Sequence, residues 1–217
     1  MVESTQNTVV TFVLDESASM RSVWDETISG FNEYIETLQA DSRPTVIRLL
    51  SFNSKRISGL YNFEDIQKVE PMTDQVYRPD GNTPLYDSIA KGILDTDDIL
   101  EYSGNEANVM FTIMTDGMEN SSKHFTFMDI ARMVEQREKD GWIFTFLGAN
   151  QDAWREGRKF GIQRKYASNY QASNPKEAFK VMAESTLRAK GGWSTARRAS
   201  QFYTEDEKER LLRKKIK

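Results

Sequence analysis

The sequence predicts a three-layer αβα fold, in which helices cover both faces of a mostly parallel β-sheet with one antiparallel edge strand. Short apolar runs alternate with amphipathic segments of helical length, which is typical of repeated βαβ units. The apolar runs are continuous rather than alternating, as expected for strands that are buried on both faces. The chain has 217 residues, enough for one domain with a substantial core.

The strands follow from runs of β-branched and aromatic residues. The core strands are predicted at residues 8–14, 44–52, 109–114 and 142–147. Residues 55–63 predict a short strand at the edge of the sheet, and residues 166–170 a last strand. Residues 64–82 contain Pro71, Pro79 and Gly81, so we expect a loop with at most short structure there.

The helices follow from apolar residues spaced three or four apart and from signals at their ends. Ser22 and Asp25 have the spacing of a capping box at the start of the first helix. Thr83 suits the N-cap of the second helix and Pro84 its first turn. Three further helices are predicted at residues 127–139, 152–160 and 175–190, ended by Gly141, Gly161 and Gly191 respectively.

Composition excludes several classes of site. The chain has no cysteine, so disulfides, zinc ribbons, iron–sulfur clusters and thiol catalysis are excluded. Its single histidine, His124, cannot form a histidine-based zinc site alone. The net charge of −4 argues against nucleic-acid binding by the whole chain. The N-terminus lacks the pattern of a signal peptide and no apolar run is long enough to cross a membrane, so we expect a cytoplasmic protein without membrane contact.

Oxygen-bearing side chains follow two predicted strands and precede one predicted helix. Asp15, Ser17 and Ser19 come after the first strand, Asp116 comes after the strand at residues 109–114, and Thr83 precedes the second helix. Ligands of open α/β sheets bind outside the carboxyl ends of the strands, where these loops are expected. Carboxylates and hydroxyls are ligands for Mg²⁺, Mn²⁺ or Ca²⁺ rather than zinc or copper.

Taken in order, these segments resemble a known family. Asp-x-Ser-x-Ser, a threonine in Gly-x-Thr-Pro-Leu, and Thr-Asp-Gly are similar to the metal-ion-dependent adhesion site of the von Willebrand factor type A (vWA) family, and the similarity extends over roughly residues 5–190. The resemblance implies the Rossmann-like vWA fold and one Mg²⁺, or Mn²⁺ or Ca²⁺. It implies that hydroxyls reach the cation from Ser17, Ser19 and Thr83. Carboxylates would come from Asp15 and Asp116, directly or through water.

One position departs from the family pattern. Ala18 stands where the family usually has glycine between the two serines. If that position needs a positive φ, alanine would cost about 1 kcal/mol. The rim of the site is expected to include Glu16, Asn82, Gly117, Met118, Glu119, Asn120 and Asn150.

The resemblance implies a protein-binding module rather than an enzyme. Two carboxylates neutralise a divalent cation, and a water-occupied position on it could accept an acidic side chain from a partner protein. A metal-dependent hydrolase or phosphatase using the same cation is the alternative. The motif offers it no suitable general base, and the chain has no P-loop for nucleotide hydrolysis.

The last segment differs in composition from the rest. Residues 1–190 are predicted to form the vWA domain, and residues 191–217 a basic helical extension with a capping box at Thr204 and Glu207. The extension is either a plain terminal helix or a basic arm for a partner or an anion. Phosphate or nucleic-acid binding through it is the third, least favoured function.

Overall fold

The computed structural model describes residues 7–104, 107–149, 159–162, 166–190 and 202–213. Its centre is a six-stranded sheet of order β3-β2-β1-β4-β5-β6. The strands are β1 (Thr8–Asp15), β2 (Thr45–Asn53), β3 (Arg56–Asp65), β4 (Asn108–Thr115), β5 (Ile143–Ala149) and β6 (Ala167–Tyr170). Neighbouring strands pair in parallel except β2 and β3, so the predicted antiparallel edge strand is confirmed.

Helices cover both faces of this sheet. They are α1 (Trp24–Gln39), α2 (Leu85–Ser103), α3 (Phe127–Lys139), α4 (Pro175–Lys190) and α5 (Glu205–Leu211), with short 3₁₀ helices at Ala18–Val23 and Ile66–Lys68. The helix predicted at residues 152–160 lies largely outside the described residues. None of the helices in the described ranges is both long and apolar enough to span a lipid bilayer.

Successive side chains of β1 point to opposite faces and fix the two outer layers. The Phe12 ring packs against Phe31 of α1 and Phe179 of α4. On the other face, Val13 lies close to Gly92 of α2. Both faces of β1 are therefore covered, as its uninterrupted apolar sequence predicts, and the three-layer αβα class is confirmed.

The predicted starts of the first two long helices are corrected by the structure. The N-cap of α1 is Val23 without a side-chain cap, and the Ser22 hydroxyl donates instead to the Ser19 carbonyl at 3.4 Å. A 3₁₀ helix runs directly into α1, so no extended residue is left where Ser22 could cap. The N-cap of α2 is Pro84, one residue later than predicted, and again no side chain caps it.

At the other end of the chain the capping box of the last helix is confirmed. The Thr204 side chain accepts from the Glu207 backbone N–H, and the Glu207 carboxylate accepts from the Thr204 N–H. Gly141, predicted to end α3, has a φ of 90°, a conformation that favours glycine.

Candidate metal centre

The loops that follow β1 and β4, and the loop that precedes α2, meet at the carboxyl edge of the sheet. The Ala18 N–H donates to the Gly81 carbonyl at 3.0 Å, which joins the first loop to the loop before α2. The Asn120 N–H donates to the Thr83 carbonyl at 3.1 Å, and the Asn120 side chain accepts from the Thr83 N–H at 2.8 Å. These backbone contacts fix the three loops relative to one another.

A chain of hydrogen bonds links four of the five predicted site residues. Asp15 Oδ1 accepts from the Ser17 N–H at 2.7 Å. The hydroxyls of Ser17 and Ser19 lie 3.0 Å apart, and Ser19 Oγ donates to Asp116 Oδ1 at 2.5 Å. Thr115 supplies a second donor to Asp15, from its hydroxyl to Oδ2 at 2.5 Å. Side chains 97 residues apart in sequence therefore share one small polar cluster.

Thr83 joins this cluster beside Gly117. A methyl group added at Gly117 would lie 2.8 Å from Thr83 Oγ1 and 3.5 Å from Asp15 Oδ2. Both oxygens thus face the same small space, which a side chain at Gly117 would fill. Thr83 does not cap α2, because the N-cap is Pro84 and no side chain caps the helix.

The conformational cost considered for Ala18 does not arise. Among the described residues, Phe63 is the only non-glycine residue with a positive φ. Ala18 is the first residue of the 3₁₀ helix, in ordinary right-handed backbone conformation. Alanine is therefore compatible with this loop.

Burial makes the charges of the two carboxylates unfavourable. It raises the pKa of Asp15 from 3.8 to about 6, against the hydrogen bonds from Thr115 and Ser17, and the negative charge of Asp116 raises it further. Burial also raises the pKa of Asp116, although the Ser19 hydroxyl opposes this effect. Two neighbouring carboxylates that are poorly solvated are stabilised in their charged form by a positive charge between them.

The residues present fit a divalent cation. The donor set is oxygen only, two carboxylates and three hydroxyls, the chemistry that Mg²⁺, Mn²⁺ and Ca²⁺ prefer. Ser19 is exposed, so the cluster is accessible from solvent on that side. Within the described ranges no cluster of three or more His, Cys, Asp or Glu residues could hold a metal ion. The candidate site contains only two carboxylates, and its other oxygens are hydroxyls.

Several residues around the centre were not identified from the sequence. Thr115 lies inside the Thr-Asp-Gly motif, which is the signal that could have found it. Tyr77 belongs to the loop before α2, and its hydroxyl donates to the Asp15 carbonyl at 2.6 Å. Tyr170 ends β6 and is buried, and its pKa is raised well above 10 by burial and by the charges of Asp116 and Asp15.

The expected rim is partly corrected. Glu16 is completely buried rather than exposed on the rim, and it accepts from Arg56 at 2.7 Å. Met118 is exposed on the rim, whereas Glu119 binds backbone amides of its own loop. Asn150 lies outside the described residues. His124 is exposed.

Comparison with known proteins finds a matching family model and a set of similar solved structures. Residues 10–185 match the model described as von Willebrand factor type A domain. A comparison with curated proteins finds no match.

Three solved structures share the fold at low sequence identity. Proximal thread matrix protein 1 from the mussel byssus, solved with a zinc-occupied MIDAS motif, has TM-score 0.54 and 15% identity over 84% of this chain and 46% of its own. The pilus adhesin SpaC from Lactobacillus rhamnosus GG has TM-score 0.63 and 12% identity over 86% and 30%. Manganese-loaded TRAP protein from Plasmodium vivax has TM-score 0.54 and 15% identity over 81% and 72%. The chain spans less than half the length of the mussel and Lactobacillus proteins.

Proposed function

The chain belongs to the von Willebrand factor type A domain family, and from this premise we propose that it is a divalent-cation-dependent protein-binding module. The cation site consists of Asp15, Ser17, Ser19, Thr83 and Asp116. Domains of this family are typically adhesion or interaction modules rather than enzymes. The ligand is a carboxylate presented by a partner protein.

The observation that carries the proposal is the convergence of these side chains. Ser19 and Asp116 come from different loops and are in direct contact, and Thr83 Oγ1 and Asp15 Oδ2 both lie close to Gly117, within 2.8 and 3.5 Å of where its Cβ would be. If these residues served only in local turns, side chains from separate loops would not need to meet. Desolvated carboxylates, whose charge is unfavourable without a counter-ion, support a cation as the missing partner.

Mg²⁺ is the cation we favour, with Mn²⁺ and Ca²⁺ as the alternatives. The mussel and Plasmodium structures contain zinc and manganese respectively, which supports a divalent ion in this fold. Zinc prefers nitrogen and sulfur ligands, and this chain offers only oxygen at the site. Which ion is bound in the organism depends also on its availability.

Charge counting supports a carboxylate ligand. Asp15 and Asp116 balance the two charges of the cation, and the hydroxyls add none. A bound divalent cation would retain electrophilic character, and because Ser19 is exposed, an anionic oxygen could reach the site from solvent. Hydrolysis is less well supported, because the single histidine is exposed and its backbone N–H is bound by Asp87 outside the site.

Calorimetric titration with Mg²⁺, Mn²⁺ and Ca²⁺ tests the cation site. We expect the wild type to bind and to be stabilised against heat, and Asp15→Ala to lose both effects. Asp129→Ala is the matched control, because Asp129 is a carboxylate on the surface of α3, bound to Thr126 and Arg132. Equal responses in the wild type and Asp15→Ala would refute the assignment.

A pull-down from the native host tests the partner. We expect a protein that is retained by the wild type in Mg²⁺, released by chelator, and not retained by Asp15→Ala. Retention that is insensitive to chelator would contradict cation-dependent binding.

A further inference from the structure

The hydroxyl of Tyr170 is buried and has no hydrogen-bond partner in the described part of the chain. Tyr170 is 2% exposed. Burying a hydroxyl without a partner costs about 1–3 kcal/mol, and phenylalanine would fill the same space without that cost. An unsatisfied group of this kind needs an explanation, such as an unseen water or ion.

The position of Tyr170 places it at the edge that carries the cation site. Thr115 of β4 aligns with Gly148 of β5, which aligns with Asn169 of β6. One residue further along, Tyr170 aligns with Ala149, and Asp116 directly follows Thr115 at the same level of the sheet. The only strand between β4 and β6 therefore contributes a single methyl group at this level.

The electrostatics agree with that placement. Burial and then the charges of Asp116 and Asp15 raise the pKa of Tyr170 well above 10. Tyr170 in turn contributes to raising the pKa of Tyr77, whose hydroxyl binds the Asp15 carbonyl. The phenol is thus neutral at physiological pH and lies within electrostatic range of both carboxylates.

We propose that Tyr170 is a positioning residue of the cation site, whose hydroxyl donates a hydrogen bond to an oxygen around the bound cation, either the Asp116 carboxylate or a cation-bound water. The inference rests on the proposed function. The hydroxyl has no partner among the described residues, and a bound cation with its ligands would supply one. Partners of this kind change metal affinity by about 10–100-fold.

The substitution Tyr170→Phe separates this role from packing. In the cation-free protein it removes an unpaired hydroxyl, so stability in urea should stay the same or rise. In calorimetric titration with Mg²⁺ and with Mn²⁺, affinity should fall by about tenfold. The ultraviolet difference spectrum of tyrosine on addition of Mg²⁺ should be smaller than in the wild type.

Tyr34→Phe is the matched control. Tyr34 is also a fully buried tyrosine, and its ring packs against Phe12 and Phe31 away from the site. We expect its substitution to leave cation affinity unchanged.

The outcomes distinguish this inference from the proposed function. If the wild type binds no divalent cation, the proposed function fails and the inference with it. If the wild type binds and Tyr170→Phe binds equally well, the inference alone is overturned. A fall in cation-free stability that accompanies the loss of affinity would also overturn it, because the hydroxyl would then have a structural partner.

Discussion

Asp15 holds a carboxylate where its charge is poorly solvated. The Ser17 amide and the Thr115 hydroxyl stabilise the charge, but burial outweighs them and the pKa is raised to about 6. Relative to the ordinary value of 3.8, this corresponds to about 3 kcal/mol of destabilisation when the carboxyl is ionised. The cation-free protein is therefore less stable at neutral pH than the same fold without this charge.

Asp15→Asn should stabilise the cation-free protein and abolish its response to Mg²⁺. The amide has the shape of the carboxylate and can still accept from the Ser17 N–H, but it carries no charge. We expect a gain approaching about 3 kcal/mol at pH 7, measured by urea unfolding in chelator. A variant less stable than the wild type in chelator would contradict the electrostatic argument.

The difference in stability between Asp15→Asn and the wild type should grow as pH rises. Because the folded-state pKa of Asp15 is raised, its protonated form stabilises the fold at low pH, and that contribution is lost as pH rises from about 4 to about 6. The advantage of Asp15→Asn should therefore be small at pH 4 and complete near pH 7. Unfolding at several pH values, with the two proteins in parallel, measures the difference and removes the effect of other titrating groups.

Gly117 and Gly92 are both close to other atoms, but for different reasons. A methyl group at Gly117 would lie 2.8 Å from the Thr83 hydroxyl, whereas at Gly92 it would lie 2.9 Å from the Phe111 ring. Gly117→Ala should weaken Mg²⁺ binding about tenfold with little loss of stability. Gly92→Ala should cost about 1–3 kcal/mol of stability and leave Mg²⁺ affinity unchanged. Calorimetry and urea unfolding of both variants test the pair, and parallel effects in the two would contradict it.

At the level of single residues, the candidate cluster is easier to find in the sequence than the residues around it. Asp15, Ser17 and Ser19 follow a strand at alternate positions, and that spacing is visible in the sequence. Thr83 was ambiguous, because threonine before proline is also typical of a helix start. Tyr170 could not be predicted, because its relation to Asp116 depends on strand order and register.

The loop between β4 and α3 is held against the start of α2 by two carboxylates. Asp87 of α2 accepts from the backbone N–H groups of residues 123, 124 and 125 at 2.8–3.0 Å. Glu119 reaches in the other direction and accepts from the Tyr86 N–H at 2.9 Å. Burial raises the pKa of Asp87, but the three amides outweigh it, so the pKa lies below its ordinary value. The loop that carries Asp116 is thus tied to the helix that follows Thr83.

Asp87→Ala should loosen this loop. Three backbone amides lose a charged acceptor, which we expect to cost about 1–3 kcal/mol in urea unfolding. Mg²⁺ affinity should fall by a few-fold, since the loop follows Asp116. Glu101→Ala, an exposed position of the same helix, is the control and should change neither quantity. An unchanged stability in Asp87→Ala would show that water replaces the carboxylate without penalty.

Whole elements were predicted better than their ends. β1 and α4 are fixed by the burial of many apolar residues in the core. A local change at one position therefore does not alter the prediction of either element. The start of α1 depends on whether one serine is extended or helical. Ser22 lies in the 3₁₀ helix that precedes α1, so it does not cap α1. The contacts of Asp87 and Glu119 are long-range pairs between loop and helix, for which the sequence has no periodic signal.

The C-terminal helix packs against the rest of the molecule. Its Arg210 binds Glu177 and Glu184 of α4, and the Leu211 carbonyl accepts from the Gln171 N–H at 2.8 Å, directly after β6. Leu211 and the preceding Phe202 and Tyr203 are buried. Part of the basic charge of this segment is therefore neutralised by acidic residues of the domain. The division of the chain at residue 190 stays a prediction, and the packing of α5 provides the means to test it.

Deletion of residues 204–217 should destabilise the domain without affecting nucleic-acid binding. Loss of Leu211 removes about 2 kcal/mol of apolar burial, and the partly exposed ion pairs of Arg210 add less than about 1 kcal/mol each.

Deletion of residues 214–217 removes three lysines but leaves α5 in place, so it separates charge from packing and should leave stability nearly unchanged. Urea unfolding measures the first effect. DNA binding at several salt concentrations, in the full chain and both truncations, measures the second. Unchanged stability after the longer deletion would show that α5 is a separable extension, and DNA binding lost in both truncations would support the basic arm.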